Sequence, residues 1–157
     1  MPDRPEQTNR IIPMMAYEDA SAAIDWLCQA FGFTERSRMM SPDGTIGHAE
    51  LELGGPGGVV MLAQPTPDYQ GPRHHAELCD AARRWMEVPY VIDGLHADVD
   101  DVDEHFRRAR EAGAEILSEP EDQPYGERTY RVADLEGHRW MFAQPIAIAG
   151  APNGEGG

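Results

Sequence analysis

Two segments of the sequence end in the same apolar pattern, "VVMLAQP" at 59–65 and "RWMFAQP" at 139–145. Each of them follows a turn that contains glycine, "GGPGG" at 54–58 and "DLEGH" at 134–138. A pattern that repeats together with its surroundings indicates an internal duplication, which decides the positions that are structurally equivalent. The sequence therefore predicts two copies of one module.

A helix is predicted in each half, with a short strand before it and strand-like segments after it. The first helix begins after Asp19 and ends at Gly32; the second begins after Asp101 and ends at Gly113. Apolar residues recur at helical spacing in both, namely Ala20, Ala23, Ile24, Leu27 and Phe31 in the first and Val102, Phe106 and Ala109 in the second. Asp101, with Glu104 three residues later, also resembles a capping box.

The predicted fold class is α+β, with two tandem βαβββ modules in a single domain over residues 8–145. The modules span 8–63 and 90–145, and residues 146–157 form a flexible tail. Between the modules, residues 64–89 form a helical linker, in which Leu78, Ala82 and Trp85 have the spacing of one helix. We expect this linker to cover a sheet edge or to form part of a cleft rim.

The composition excludes several classes of partner. Twenty-eight acidic against thirteen basic side chains give a net charge of −15, which repels nucleic acid phosphates. No apolar run is long enough for a membrane span, and no signal peptide is recognisable, so we expect no membrane partner. Two cysteines do not make a disulfide framework, and they fit a reducing, cytoplasmic location.

The paired modules resemble the vicinal oxygen chelate superfamily. The resemblance rests on "EDASAAIDWLCQAFGF" in the first half and on "GERTYRVADLEGHRWMFAQ" near the end. That superfamily includes glyoxalases, extradiol dioxygenases and bleomycin-binding proteins. It implies sheets that curve into a cleft of the glyoxalase/bleomycin-resistance type, and a homodimer.

The resemblance also implies metal ligands on the first and fourth strands of each module. When the two modules are aligned by their helix starts and their "AQP" strands, these positions correspond to Ile12, Met61, Gly94 and Met141. None of them offers the carboxylate, imidazole or thiolate that a divalent metal prefers. We therefore expect no metal and no other cofactor at these positions. The alternative is a divalent metal held by a shifted set, His48, Glu50 and His96.

Strand alternation predicts which side chains face the cleft. In the second module these are Ile92, Gly94, His96 and Asp98, and in the first they are His48, Glu50 and Glu52. An offset of 80 residues makes Arg128, Tyr130 and Val132 the equivalents of His48, Glu50 and Glu52. The predicted ligand-binding residues are His48, Glu50, Met61, His96, Arg128, Tyr130 and Met141.

Two functions remain open at this point. The first is a protein that binds a small organic molecule in a cleft between its modules without a metal. The alternative is an enzyme of the glyoxalase or dioxygenase type, a lyase, isomerase or dioxygenase with His48, Glu50 and His96 as candidate catalytic residues. The acidic composition favours a cationic ligand and Arg128 favours an anionic one, so the charge of the ligand stays open.

Overall fold

The computed structural model describes residues 8–88 and 93–147. The first module and the linker consist of β1 Met14–Ala16, α1 Ala20–Phe31, β2 Thr34–Met40, β3 Ile46–Glu52, β4 Val59–Ala63, α2 Pro72–Leu78 and α3 Asp80–Met86. The second module consists of β5 Gly94–Asp98, α4 Val102–Glu111, β6 Glu115–Asp122, β7 Glu127–Ala133 and β8 Arg139–Pro145.

The two modules have the same topology. Their sheets have the strand orders β1-β4-β3-β2 and β5-β8-β7-β6. In each sheet the first strand is parallel to the fourth, and the other neighbours are antiparallel. This arrangement confirms the predicted α+β class with two βαβββ modules.

Aspartate side chains start both long helices, as the sequence predicts. Asp19 accepts a hydrogen bond from the backbone N–H of Ala22 at 3.0 Å, and Asp101 accepts one from Glu104 at 3.1 Å. These bonds satisfy donors that have no partner within the helix. Helix α1 ends at Gly32, whose φ of 82° suits glycine because other residues rarely adopt the left-handed conformation.

The two modules share one hydrophobic core. Helices α1 and α4 are in contact, and the Phe31 ring packs against Trp140 and Phe142 with centroids 5.6 and 4.9 Å apart. Buried residues from the helix-facing sides of both sheets belong to the same apolar cluster. The opposite side of each sheet points away from this core, and we call it the outward face.

The linker differs from the prediction, because it contains two short helices instead of one. The chain is extended at Cys79, with φ −139° and ψ 116°, and this residue separates α2 from α3. Of the three residues with helical spacing, only Ala82 is buried; Leu78 is 65% and Trp85 49% exposed. The helical spacing of these three residues therefore did not indicate a buried helix face. A short apolar pattern forms one continuous helix only when it packs against another part of the protein.

The first strand of the first module is short. Strand β1 begins at Met14, directly after Pro13, which has no N–H to give to a ladder. Ile92, which was predicted to face the cleft, and the tail from 148 lie outside the described residues. Within 8–88 and 93–147, no helix is long and apolar enough to cross a membrane.

Candidate ligand cavity on the second sheet

The strand register places one residue from each strand in a line across the outward face of the second sheet. His96 on β5 lies opposite Met141 on β8, Met141 lies opposite Arg131 on β7, and Arg131 lies opposite Ser118 on β6. We call these four residues the second-sheet row. The equivalent first-sheet row consists of Met14, Met61, Glu50 and Ser37.

The two rows correct the predicted equivalence of Arg128 and Tyr130 with His48 and Glu50. Glu50 corresponds to Arg131, because six residues separate β3 from β4 and only five separate β7 from β8. A shift of one residue turns every side chain of a strand to the opposite face. Tyr130 is therefore fully buried on the helix side of the sheet.

Tyr130 takes part in a buried network that joins the modules. His105 on α4 lies 2.5 Å from the Tyr130 hydroxyl through Nδ1 and 2.8 Å from the carbonyl oxygen of Phe31 through Nε2. Burial raises the pKa of Tyr130 and lowers the pKa of His105 to about 4. The neutral imidazole thus accepts from the tyrosine and donates to the end of α1. His105 was not among the predicted residues, although its position three after Val102 puts it on the buried stripe.

Arg128 also lies on the side of the helix. Its guanidinium is 2.9 Å from Asp122 and 3.1 Å from Asp103 on α4, and these carboxylates raise its pKa, Asp122 first. Its place on the helix side of β7 follows from the same shift of one residue. The structure thus removes both Arg128 and Tyr130 from the predicted cleft.

His48 and Glu50 lie together on the outward face of the first sheet. His48 Nε2 is 3.4 Å from Glu50 Oε1, and Glu50 is buried. Among the described residues, the group close enough to offer three ligand atoms to one ion is His96, Asp98 and Glu127. The shifted metal set of His48, Glu50 and His96 is therefore not assembled within one chain, since the two outward faces point away from the shared core.

The residues at the family's metal positions do not fit a divalent metal. Met61 and Met141 present thioethers at the centre of each sheet, Ile12 is aliphatic, and Gly94 has no side chain. The group of His96, Asp98 and Glu127 on the second sheet offers better donors: His96 Nε2 is 3.5 Å from Glu127 Oε2, and Nδ1 is 3.9 Å from Asp98 Oδ1. These are ion-pair distances when His96 is protonated.

A cavity of about 490 Å³ covers the second-sheet row. All four row residues line it, and Gly94 and Arg139 extend its floor along the strands. The end of the linker forms a wall through Met86 and Glu87, next to Asp93 just before β5, and Leu117 lies at the β6 edge. This volume and a largely apolar lining with a few polar groups are typical of a site for a small organic molecule.

Arg139 fixes the linker wall to the sheet. Its guanidinium donates to the carbonyl oxygen of Val88 at 3.0 Å and to that of Met86 at the end of α3. Carbonyl groups at a helix end have no partner within the helix, so this arginine supplies one. The linker thus takes part in the cleft rim.

The hairpin between β7 and β8 is held against the first module by a buried carboxylate. Asp134 accepts from the Tyr17 hydroxyl at 2.7 Å and from Trp140 Nε1 at 3.1 Å. The backbone N–H groups of Glu136 and His138 also donate to it, each at 3.0 Å. Because Asp134 accepts hydrogen bonds from donors on both modules, it fixes the position of β8. The outward side of β8 forms the cavity floor.

Two βαβββ modules around one core, with a ligand-sized cavity on an outward sheet face, define a glyoxalase-type α+β protein. Residues 10–142 match the model of the Glyoxalase/Bleomycin resistance protein/Dioxygenase superfamily, and the chain belongs to this family. The resemblance drawn from the sequence is therefore confirmed.

Several relatives support this assignment. Protein Rv0887c of Mycobacterium tuberculosis H37Rv is 35% identical over 138 residues, which cover 85% of this chain and 73% of the relative. The crystal structure of TioX from Micromonospora sp. ML1 is similar with a TM-score of 0.62 and 34% identity, over 89% of this chain and 98% of TioX. TnmS3, an antibiotic binding protein from Streptomyces sp. CB03234, shares the fold with a TM-score of 0.58 and 18% identity, over 89% of this chain and 99% of TnmS3.

Proposed function

We propose that this protein binds a small organic molecule in the cavity on the outward face of its second sheet, without a metal. The observation that carries the proposal is the cavity itself, about 490 Å³ in volume, with Met141 at the centre of its floor. His96 and Arg131 add polar groups that can fix the orientation of a ligand. The description of TnmS3 as an antibiotic binding protein agrees with this kind of function.

A second copy of the chain would complete the site. Met14 and Met39 are 80% and 66% exposed on the first sheet, and exposed apolar patches mark interaction surfaces. We propose a homodimer in which this outward face covers the cavity of the partner. Such an arrangement would bring His48, Glu50 and Met61 to the ligand, which one chain alone does not do.

An enzyme is the second candidate, and the surroundings of His96 favour it. Carboxylates face both ring nitrogens of His96, at 3.5 Å from Glu127 and 3.9 Å from Asp98. A carboxylate that orients an imidazole can support proton transfer to or from a bound molecule. Metal analysis of protein purified without chelator tests this candidate, since one metal per chain would favour the enzyme over the binding protein.

Binding measurements on cavity variants test the first proposal. A panel of dicarbonyl, catechol-like and glycopeptide-type compounds is screened by isothermal titration calorimetry against the wild type. We expect Gly94→Leu, which fills the floor, and His96→Ala to weaken binding of any hit at least tenfold. Arg128→Ala is the matched control, because Arg128 lies on the helix side of the same sheet. Equal affinity of all variants would place the site elsewhere.

A further inference from the structure

A second cavity, of about 350 Å³, lies between α3 and the segment that leads into α2. Met86 and Asp93 line both cavities, which are therefore adjacent, whereas the four residues of the second-sheet row line only the first. We infer that the second cavity is a separate binding site for a small organic cation of the quaternary ammonium type. Its volume lies within the range of small-molecule sites, ~300–1,000 Å³. The inference goes beyond the proposed function, because it concerns a different cavity.

The second cavity has a sheltered floor and an open rim. The floor consists of one buried and three half-buried residues, namely Ala82, Tyr69, Pro72 and Met86. The rim consists of exposed residues, namely Gln70, His75, Trp85 and Asp93. A small molecule can therefore enter from solvent and rest on apolar groups while polar groups surround its entrance.

Two aromatic side chains of the second cavity suit a cation. Tyr69 precedes α2 and Trp85 belongs to α3, so the two rings come from different segments of the linker. The Tyr69 hydroxyl donates to the carbonyl oxygen of Ala16 at 3.3 Å, which holds this ring against the first module. The face of an aromatic ring attracts a cation, and tryptophan attracts it most strongly. The two rings therefore offer contacts that a quaternary ammonium group can use without any hydrogen bond.

The charges around the second cavity also favour a cation. Asp93 places a carboxylate on the rim, and among the described residues that line the cavity none is a lysine or an arginine. Burial raises the pKa of Tyr69, and three nearby carboxylates raise it further, those of Glu136, Glu18 and Asp134. The electrostatic potential at the Tyr69 hydroxyl is therefore negative, which stabilises a bound cation.

The two adjacent cavities differ in charge. Arg131 and Arg139 line the first cavity, and their guanidinium groups repel a cation. The second cavity presents Asp93 and the two aromatic rings instead. One chain can therefore bind two chemically different molecules on the two sides of Met86.

Choline and its neutral carbon isostere, 3,3-dimethylbutan-1-ol, test whether the second cavity recognises charge. Each compound is titrated into the wild-type chain, and the indole N–H signals of its three tryptophans are followed by NMR. Trp85→Phe identifies the signal of Trp85, and the signals of Trp26 and Trp140 serve as internal controls. We expect choline to shift the Trp85 signal saturably and to bind roughly tenfold more tightly than the alcohol. Equal affinity for both compounds, or no saturable shift with choline, overturns the inference.

Matched variants then place choline in the second cavity, with affinity measured by ligand-observed NMR. Trp85→Leu removes the ring and Asp93→Asn removes the charge, and each should weaken choline binding about fivefold or more. Asp68→Asn removes the same charge from an exposed residue outside the cavity and should have no effect. Unchanged affinity in Trp85→Leu or Asp93→Asn, or an equal loss in Asp68→Asn, contradicts the inference.

Gly94→Leu separates the two cavities, because it fills only the first. Choline affinity should stay unchanged in this variant, even where binding of a hit in the first cavity is lost. A loss of choline binding in Gly94→Leu would show that the cation occupies the first cavity, and would refute a second site. Circular dichroism checks that each variant is folded, and Gly94→Ala replaces Gly94→Leu if the latter is not.

Discussion

At the scale of single residues, His105 joins the two modules. Its imidazole joins Tyr130 on β7 to the carbonyl of Phe31 at the end of α1. The bond that His105 accepts from the Tyr130 hydroxyl requires the neutral ring, because both nitrogens of a protonated imidazole are donors; the bond to the Phe31 carbonyl needs only the N–H of Nε2. Burial holds its pKa at about 4, below the value of about 6.5 in an unfolded chain. The stability of the whole domain is therefore linked to the protonation of one side chain.

This linkage predicts a loss of stability in mild acid. Because the unfolded state binds the proton more tightly, the contribution of His105 is complete above about pH 6.5 and is lost as the pH falls through about 4. A shift of this size corresponds to about 3 kcal/mol in the free energy of unfolding. Urea denaturation at pH 7 and pH 4.5 measures the loss. The variant His105→Gln retains hydrogen-bonding groups without titrating, so its free energy of unfolding should fall less over the same interval. An equal fall in both proteins would contradict this role of His105.

At the scale of secondary structure elements, the length of one turn decides which residues face the cavity. The β7–β8 turn is one residue shorter than the β3–β4 turn, so Arg131 rather than Tyr130 lies in the row. The linker contributes the other decisive element, since the end of α3 reaches the cavity and is held there by Arg139. The shape of the site depends on how these elements meet.

The role of Arg139 predicts a specific effect of its removal. In Arg139→Gln the carbonyl groups at the end of α3 lose their donor, so the amides of residues 80–88 should exchange hydrogen faster. Ligand affinity should fall with them, because the wall of the cavity is less ordered. Hydrogen–deuterium exchange with mass spectrometry measures the first effect. Arg84→Gln, an exposed change on the same helix, is the control; unchanged exchange in Arg139→Gln would show that α3 is held by other contacts.

At the scale of the whole molecule, the shared core turns both outward faces to the surface. The cavity is lined by residues of the second module and the linker, and the first sheet exposes Met14 and Met39. A monomer would leave these apolar side chains exposed to water, and exposed apolar patches favour association.

We therefore expect the wild-type chain to be a dimer in solution, with the first sheet of each copy over the second sheet of the other. The variant Met39→Glu adds a charge to this contact and should shift the chain to the monomer. Sedimentation velocity measures the change. Leu78→Glu places the same charge on an exposed linker residue and should leave the dimer intact. A wild-type chain that sediments as a monomer would refute the proposed assembly.

The duplication, both helix starts and the α+β class could be predicted from the sequence, because capping residues and apolar spacing act over a few residues. Asp19 and Asp101 cap the helices through bonds to residues three positions later. The thioether and glycine at the family's metal positions were also visible, since they follow from residue identity.

Only the tertiary structure decided which residues share the cavity. The offset of 80 residues, taken from the "AQP" strands, assigned Tyr130 to the cleft face. Because the β7–β8 turn is one residue shorter than the β3–β4 turn, Tyr130 lies on the opposite face. The apolar spacing of the linker could not show the break at Cys79. The placement of His48 and His96 on separate outward faces depends on the packing of α1 against α4, which joins residues far apart in the chain. Local interactions fix elements, whereas a binding site forms from contacts that exist only after the elements have packed.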